Sequence, residues 1–438
     1  MLTAIERPAA RPYLLGHVVA VLVLLHAGDV LSFGQRLLFG HTPLDTPLWL
    51  LLYALAGGHL IMRHQANWLT WFAKQQPLIV AVLVIAACSV AWSIQPSLTL
   101  LRVIHLLGST ILGVYLGYML PARVFLSMLS GTLILLTLGG VAAALLVPDL
   151  GQQLYQGNLV WSGLQGDKNG FGFQLALATL VLLTRSLSES GGRPRLLVAV
   201  AMVATVALLM SDSVTSLLAL VAAVCVIGAS LLATILGYRA TFAAITVAVI
   251  ATVAAGAAML LGPEQLFGVV GRSTSFTGRE EIWEVALDLM AQRPWLGFGH
   301  GAIWFPSADL LDAQNALLGT TWTAYHAHNS FLQVASELGL PAATMAMLLP
   351  VAGLARAIRL YGAAPSPFVL LVIGLYCLFL VSSLLEARFF IDRNLHWILF
   401  IAVPLSLART TAASRTGPSV RPHPANVQVD GTSGERHH

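Results

Sequence analysis

Charge is scarce in this 438-residue chain, where Asp, Glu, Lys and Arg together make up only 10%. Soluble domains carry about 25%, so an ordinary soluble enzyme is excluded. A disordered chain needs low hydrophobicity, and it is excluded by a 57% hydrophobic content and a mean hydropathy of +0.80. Cysteine is nearly missing: Cys88, Cys225 and Cys377 each lie inside an apolar run, with no paired spacing for a disulfide or a zinc site. The alternating segments of about ten residues that mark a membrane barrel are lacking. No glycine-rich stretch ends in the GK[ST] of a phosphate-cradling nucleotide loop. The net charge of +4 is small, and no nucleic acid is expected as a partner.

What the chain does have is a succession of apolar runs of 16 to 26 residues. Each is long enough, or nearly so, to cross ~30 Å of hydrocarbon as a helix. The expected class is an all-α polytopic membrane protein of about twelve transmembrane helices, with membrane lipids as its surroundings. The spans fall near 13–33, 47–62, 77–92, 98–120, 122–147, 170–187, 194–211, 214–236, 240–262, 330–355, 367–385 and 394–409. Residues 1–262 thus hold spans one to nine, 263–329 form one large loop, 330–410 hold spans ten to twelve, and 411–438 read as a disordered polar tail. The first span has no convincing cleavage site and reads as a retained helix. With the N-terminus in the cytoplasm, fifteen of the 23 basic residues lie on the cytoplasmic side, as the positive-inside rule requires. The large loop is then external. The eight exceptions are Arg36, Arg102, Lys168, Arg272, Arg279, Arg293, Arg388 and Arg393. They oppose the topology signal, and seven of them lie in or beside the segments that carry polar motifs.

The loop opens with GRSTSFTGR and then TGREEIWEVALDLMAQRP, 277–294. Thr277 with Glu280 has capping-box spacing. Ile282, Val285, Ala286, Leu289 and Met290 form one apolar stripe, so an amphipathic helix is expected, either flat on the outer leaflet or packed on the bundle. It is stopped by Pro294 and the glycines of GFGHG, 297–301. Arg279 and Trp283, four apart, share a face. Arg272 and Arg279 at the mouth of this helix suit a phosphate clamp, because guanidinium matches phosphate oxygens bidentately; a folded cap with a solvated acidic face is the plainer reading. The loop closes with TAYHAHNSFLQVASELGLP, 323–341. His326 and His328 precede a span that Asn329 or Ser330 can cap, and Glu337 is an acid within that span. The two histidines lack further ligands at zinc-site spacing, so no metal is expected. Arg102 stands about one turn into a span and either snorkels to lipid phosphates or meets substrate. The glycine-rich GLQGDKNGFG, 163–172, carries Lys168 and Asn169 and leads into a span. Glu386, Arg388, Asp392 and Arg393 crowd one short external turn, where mutual ion pairs are the plain expectation, and Asp212 has no assigned role.

In this order, AWSIQPSLTLLR (91–102), GLQGDKNGFG (163–172), GREEIWEVALDLMAQRPWLGFGHG (278–301) and HNSFLQVASELGLP (328–341) resemble the bacterial O-antigen ligase family. Its wider relatives are the O-antigen polymerases and the O-linked oligosaccharyltransferases. The resemblance implies a glycosyltransferase of the bacterial inner membrane with its active site facing the periplasm. It would move O-antigen polysaccharide from undecaprenyl pyrophosphate to a sugar hydroxyl of lipid A–core. Carried over by motif, Arg279 matches the family arginine before the loop tryptophan, and His328 the histidine before the asparagine. Arg102 and Lys168-Asn169 match their segments. The arginine that many relatives carry near the outer end of span seven or eight has no counterpart in SDSVTS, 211–216, and Arg272 or Arg388 would have to replace it.

The chemistry agrees with the roles the resemblance implies. Lipid pyrophosphate is a good leaving group, so the site chiefly stabilises charge developing on it, which fixed arginines do. The catalytic set is His328, Arg279 and Arg272, with Arg102, Lys168, Asn169, His326, Trp283 and Arg388 binding substrate. A histidine, whose ordinary pKa is near 6.5, suits general-base work on the acceptor hydroxyl. Direct attack would invert the anomeric centre. No cofactor and no metal are expected, since the external region contains no Asp-x-Asp motif. A transporter of lipid-linked glycans is the competing class; its marks would be charges near the bilayer middle and matching broken helices in two halves, and the candidate charges here gather at one face instead.

Overall fold

The computed structural model describes residues 14–64, 67–236, 279–304 and 326–415. In chain order the helices are α1 (Leu14–Ala27), α2 (Val30–Phe39), α3 (Asp45–His64), α4 (Asn67–Gln75), α5 (Pro77–Cys88), α6 (Pro96–Met119), α7 (Ala122–Leu146) and the single turn α8 (Pro148–Gly151). They are followed by α9 (Lys168–Ser186), α10 (Arg193–Met210), α11 (Val214–Leu236), α12 (Arg279–Gln292), α13 (Ser330–Ala363), α14 (Pro367–Leu385) and α15 (Leu395–Arg415). Among the described residues the one departure from an all-α chain is a hairpin of β1 (Gln152–Tyr155) and β2 (Asn158–Trp161), paired antiparallel with Gln152 opposite Trp161. Its two-residue turn, Gln156-Gly157, has φ of 50° and 80°, the backbone a tight hairpin needs.

The apolar runs read as spans within the described residues are helical, but 13–33 is divided between α1 and α2 and 77–92 extends past the end of α5; 240–262 lies outside the described residues. Length and apolarity together qualify six helices as membrane-crossing: α6, α7, α10, α11, α13 and α14. Two bent pairs, α1 with α2 at 61° and α4 with α5 and the turn after it at 107°, raise the number to eight. The helix α15 is apolar but short over Leu395–Thr411, and α3 and α9 fall below the same combined standard of length and apolarity. A multi-pass all-α membrane protein is therefore what the structure supports, with six to eight crossings among the described residues by length and apolarity.

Small residues let the helices meet. Gly113 and Gly117 on α6 form a GxxxG face, which lets backbones approach closely in lipid. A Cβ at 113 would stand 2.6 Å from Ile401 Cβ, and one at 117 would stand 2.5 Å from the Ala402 carbonyl oxygen of α15. Aromatic rings fill the space where α9, α14 and α15 converge: Phe379 lies 5.5 Å from Phe173 and 5.2 Å from Phe400, and Phe400 lies 4.8 Å from Phe389. These rings underlie the turn between α14 and α15.

The helix α13 is broken near its start. Asn329 caps it, its Oδ1 accepting from the backbone N–H groups of Phe331 (2.9 Å) and Leu332 (3.1 Å). Gly339 then interrupts the helix with φ 85° and ψ 168°, a conformation that only glycine adopts without strain. The freed backbone groups are taken by the GFGHG strip alongside. Phe298 N donates to Ser336 O (3.1 Å), Gly299 N to Glu337 O (2.9 Å) and Leu340 N to Pro294 O (2.8 Å). The amphipathic helix expected from sequence is α12, packed on this junction. Ile282, Ala286 and Leu289 of its stripe join Phe298, Ile303, Trp304 and Ala327 in a small core. Thr277, expected to begin a capping box, lies outside the described residues.

Candidate functional site

The turn that joins α14 to α15 is the hub of the site. It leaves α14 at Glu386, which is extended (φ −148°, ψ 154°) and turns its side chain back among the helix ends. Its carboxylate is buried. Oε1 accepts from Arg279 Nη2 at 2.6 Å and from Asn169 Nδ2 at 2.9 Å, while Oε2 lies 3.3 Å from His328 Nδ1. One carboxylate thus ties together the first residue of α12, the first turn of α9 and the loop before α13. Burial alone would raise its pKa; the His328 contact and charge, followed by Arg279 and Arg388, hold it well below the usual carboxylate range.

Each partner is itself held. Asp167 begins α9 as an N-cap, its Oδ2 accepting from Gly170 N at 2.6 Å. That cap sets the first turn, and Asn169 Oδ1 accepts from Ser213 Oγ at 3.1 Å. Arg388 is buried; its Nη2 donates to the Asn169 carbonyl at 3.1 Å and its guanidinium sits 5.0 Å over the Phe173 ring. Ser330 Oγ locks the turn by donating to Glu386 O (3.0 Å) and accepting from the backbone N–H groups of Arg388 (2.7 Å) and Phe389 (3.2 Å). Of the two residues able to cap α13, Asn329 does so and Ser330 pins the turn.

His328 stands at φ 47°, a left-handed conformation uncommon for a residue with a side chain, of the kind that clusters at functional sites. The adjacent backbone is anchored from two sides: Trp283 Nε1 donates to Ala327 O at 3.0 Å, and Ala327 N donates to Gln333 Oε1 at 3.3 Å. The His326 and His328 rings meet edge to face at 4.0 Å. Burial, and then the neighbouring His328, push the His326 pKa down to about 4, so His326 is neutral near pH 7.

The remaining sequence candidates fall in different places. Arg272 lies outside the described residues. Trp283 supports the histidine loop through its indole rather than through an open ring face. Lys168 is buried beside Asn169 but turns away, with Nζ 3.4 Å over the Tyr155 ring and donating to Asp212 O at 3.1 Å. Its ammonium is also 3.8 Å from the Asp212 carboxylate, which gives Asp212 a role the sequence did not assign. Arg102 faces Asp392 at 3.6 Å on the other side of the turn. The structure therefore brings together His328, His326, Arg279, Arg388 and Asn169, and separates Lys168 and Arg102 from their contacts with Glu386.

Sequence reasoning missed two residues. Glu386 was one of four charges in a turn read as mutual ion pairs; its partners are Arg279, His328 and Asn169. His300, read only as part of a helix stop, is buried and its Nδ1 lies 2.8 Å from Glu337 Oε2. Glu337 Oε1 accepts from Gln333 Nε2 at 3.3 Å, so this pair braces the side chain that holds Ala327. The position of Glu386 at the end of a span opposite the histidine loop was the available signal.

The structure also supplies a third metal-type ligand. One donor atom each of His326, His328 and Glu386 lies within 4.8 Å of the others. Both Glu386 oxygens already face donors, and an added cation would meet Arg279 at hydrogen-bond distance. Arg279 and Arg388 both stand beside Glu386, with Asp167 also acting on Arg388.

Two comparisons bear on this arrangement. The sequence model of the O-antigen ligase family matches residues 197–347, a segment holding Arg279, His300, His328 and Glu337. The exopolysaccharide production protein ExoQ of Rhizobium meliloti (strain 1021) is 25% identical over 378 residues, covering 81% of this chain and 79% of that protein. Asn169, Glu386 and Arg388 lie outside the matched segment and complete the site from elsewhere in the chain.

Proposed function

From membership of the O-antigen ligase family we propose that this chain is a glycosyltransferase that moves a glycan from a lipid pyrophosphate to a sugar hydroxyl. The donor is undecaprenyl-pyrophosphate-linked O-antigen, the acceptor is lipid A–core, and the reaction takes place at the periplasmic face of the inner membrane. The observation that carries the reading is the Glu386 carboxylate joining Arg279 at 2.6 Å to His328 at 3.3 Å.

The chemistry follows from that junction. Glu386 facing Nδ1 favours the tautomer with the proton there, which leaves Nε2 of His328 free as a base. The acceptor hydroxyl gives its proton to Nε2 as its oxygen bonds to the anomeric carbon. The bond from that carbon to the pyrophosphate oxygen breaks, and its electron pair leaves with the lipid pyrophosphate. Arg279 and Arg388 stabilise the charge that develops there. Glu386 stays ionised throughout and offsets the charge on His328. Attack and departure on opposite faces of the sugar invert the centre. Arg272 is a further candidate for the phosphates. No metal is needed in this scheme, because guanidinium groups supply the positive charge.

Polymerisation is the second reading, and it is favoured by one observation: the relative is described as an exopolysaccharide production protein. The acceptor would then be another lipid-linked glycan. Reconstitution of the purified chain with undecaprenyl-pyrophosphate glycan decides between them when rough lipopolysaccharide, a lipid-linked repeat unit and a protein acceptor are offered in parallel. Product on lipopolysaccharide alone supports ligation, and elongation of the lipid-linked glycan supports polymerisation. Absence of transfer to any of them, with donor binding intact, would overturn glycan transfer.

A further inference from the structure

The turn 386–394 has a second face, unused by the scheme above. There Asp392 Oδ1 lies 3.6 Å from Arg102 Nη1 and 3.5 Å from Arg393 Nε, and Arg393 Nη1 lies 3.6 Å from Asp45 Oδ2. Asp45 begins α3 and accepts from Ser32 Oγ at 3.0 Å; His26 Nε2 is 3.6 Å away. Five side chains from α1, α3, α6 and the turn therefore share one polar cleft, at the same helix ends as Glu386.

Three features separate this cleft from an ordinary structural network. Its ion pairs are long, at 3.5–3.6 Å, beyond the range of good hydrogen bonds. Asp392 Oδ2 is buried with no hydrogen-bond partner, although such atoms are nearly always paired. The turn is also strained towards the cleft, with Phe390 at φ 56° and Arg393 at φ 51°, and Ser109 Oγ accepts from Arg393 N at 2.8 Å to hold it there.

Charge indicates what the cleft would take. Around Glu386 the guanidinium groups of Arg279 and Arg388 stand beside His328, a donor set that suits phosphate. In the cleft Arg102 and Arg393 face Asp392 and Asp45, so the charges cancel. A balanced set of carboxylate acceptors and guanidinium donors, with about a quarter of the Asp45 and Arg393 side chains accessible (25% and 27%), suits uncharged hydroxyl groups. We propose that this cleft is a saccharide subsite in which Asp392, Arg393 and Asp45 bind the hydroxyls of a sugar adjoining the transfer centre. The proposal rests on the glycan-transfer reading and extends it. The sugar belongs either to the donor glycan or to the acceptor.

The test uses the full-length protein in nanodiscs and the variants Asp392→Asn, Asp45→Asn and Arg393→Gln. First, saturation-transfer NMR is recorded with free repeat-unit oligosaccharide, and separately with core oligosaccharide, each released by mild acid from the lipopolysaccharide of the source cells. Wild type is expected to show transfer to one of the two sugars, and each variant to lose at least half of it. This readout needs no catalysis, so it stands even if the transfer reading fails. Second, KM and kcat are measured for donor and acceptor separately. An increase of about tenfold in KM for one substrate, with kcat within about threefold, is the expected split, and the affected substrate identifies the source of the sugar. Equal saturation transfer in wild type and all three variants, or no transfer to either sugar in wild type, would overturn the subsite. A lowered unfolding temperature with KM unchanged would show a structural staple instead.

Discussion

Arg279 and Glu386 stand 107 positions apart in the chain and 2.6 Å apart in space. The contact makes two demands on one carboxylate, which orients an arginine on one oxygen and a histidine on the other. Replacing Glu386 by Gln keeps the shape but removes the charge and supplies a donor where His328 needs an acceptor. Turnover is expected to fall roughly 10²-fold or more, within the range a general base contributes, while donor binding persists. Single-turnover rates beside a donor-binding isotherm check this. Undiminished turnover would show that His328 works without Glu386.

Arg279→Ala removes a charge-assisted contact worth about 1.5–3 kcal/mol, so transfer should drop by roughly 10- to 10²-fold or more. Arg279→Lys should recover little, since an ammonium cannot hold Glu386 and a phosphate oxygen in one planar fork. Initial rates of both variants at saturating donor are the measurement. Full rescue by lysine would reduce the role of Arg279 to a point charge.

The two histidines separate by pH. The His326 pKa sits near 4, so its protonation cannot produce a fall in rate between pH 5 and 7. Any acid limb in that interval should vanish in His328→Gln and persist in His326→Gln. Stability carries the matching sign. Between its unfolded value of 6.5 and its folded value of about 4, His326 binds a proton only when unfolded. Its contribution is therefore complete above pH 6.5 and is lost as pH falls towards 4. Unfolding temperatures across this interval should decline less steeply in His326→Gln than in wild type.

Transfer should survive exhaustive chelation without added divalent cation. His326, His328 and Glu386 have the donor atoms for an ion, but Arg279 and Asn169 already occupy one Glu386 oxygen. Activity assayed after chelation and metal analysis of the purified protein decide the point. Loss restored by one particular ion would make the histidines ligands.

The buried His300–Glu337 pair braces the histidine loop from behind. His300→Ala leaves the Glu337 carboxylate without its closest partner, and breaking such a pair costs about 3–5 kcal/mol. Thermal unfolding in detergent should shift strongly downwards. Because Gln333 links Glu337 to Ala327, turnover should fall in the protein that remains folded. Unchanged melting with unchanged turnover would mark the pair as dispensable.

Sequence by itself determined the class of this protein, because hydrocarbon admits few solutions. Apolar runs with so few charges must satisfy their own backbones as helices, and the runs that fall on described residues are helical, 13–33 as two helices. It also singled out Arg279, His328 and Asn169, whose motifs are local and whose helix-start positions follow from short-range capping. The number of crossings was less legible, since the run 13–33, read as one span, is divided between α1 and α2 at a 61° bend. Tertiary structure alone decided what each charge meets. Nothing local to the turn after α14 distinguishes Glu386 from Asp392, yet one lies against Arg279 and His328 and the other against Arg102. Asp212, isolated in sequence, neutralises Lys168 across two helix ends, and His300 finds Glu337 because Gly339 breaks α13 beside the GFGHG strip. Such pairings depend on how helices distant in sequence are brought side by side, and that arrangement arises from the packing of small residues and rings rather than from the spacing within any one segment.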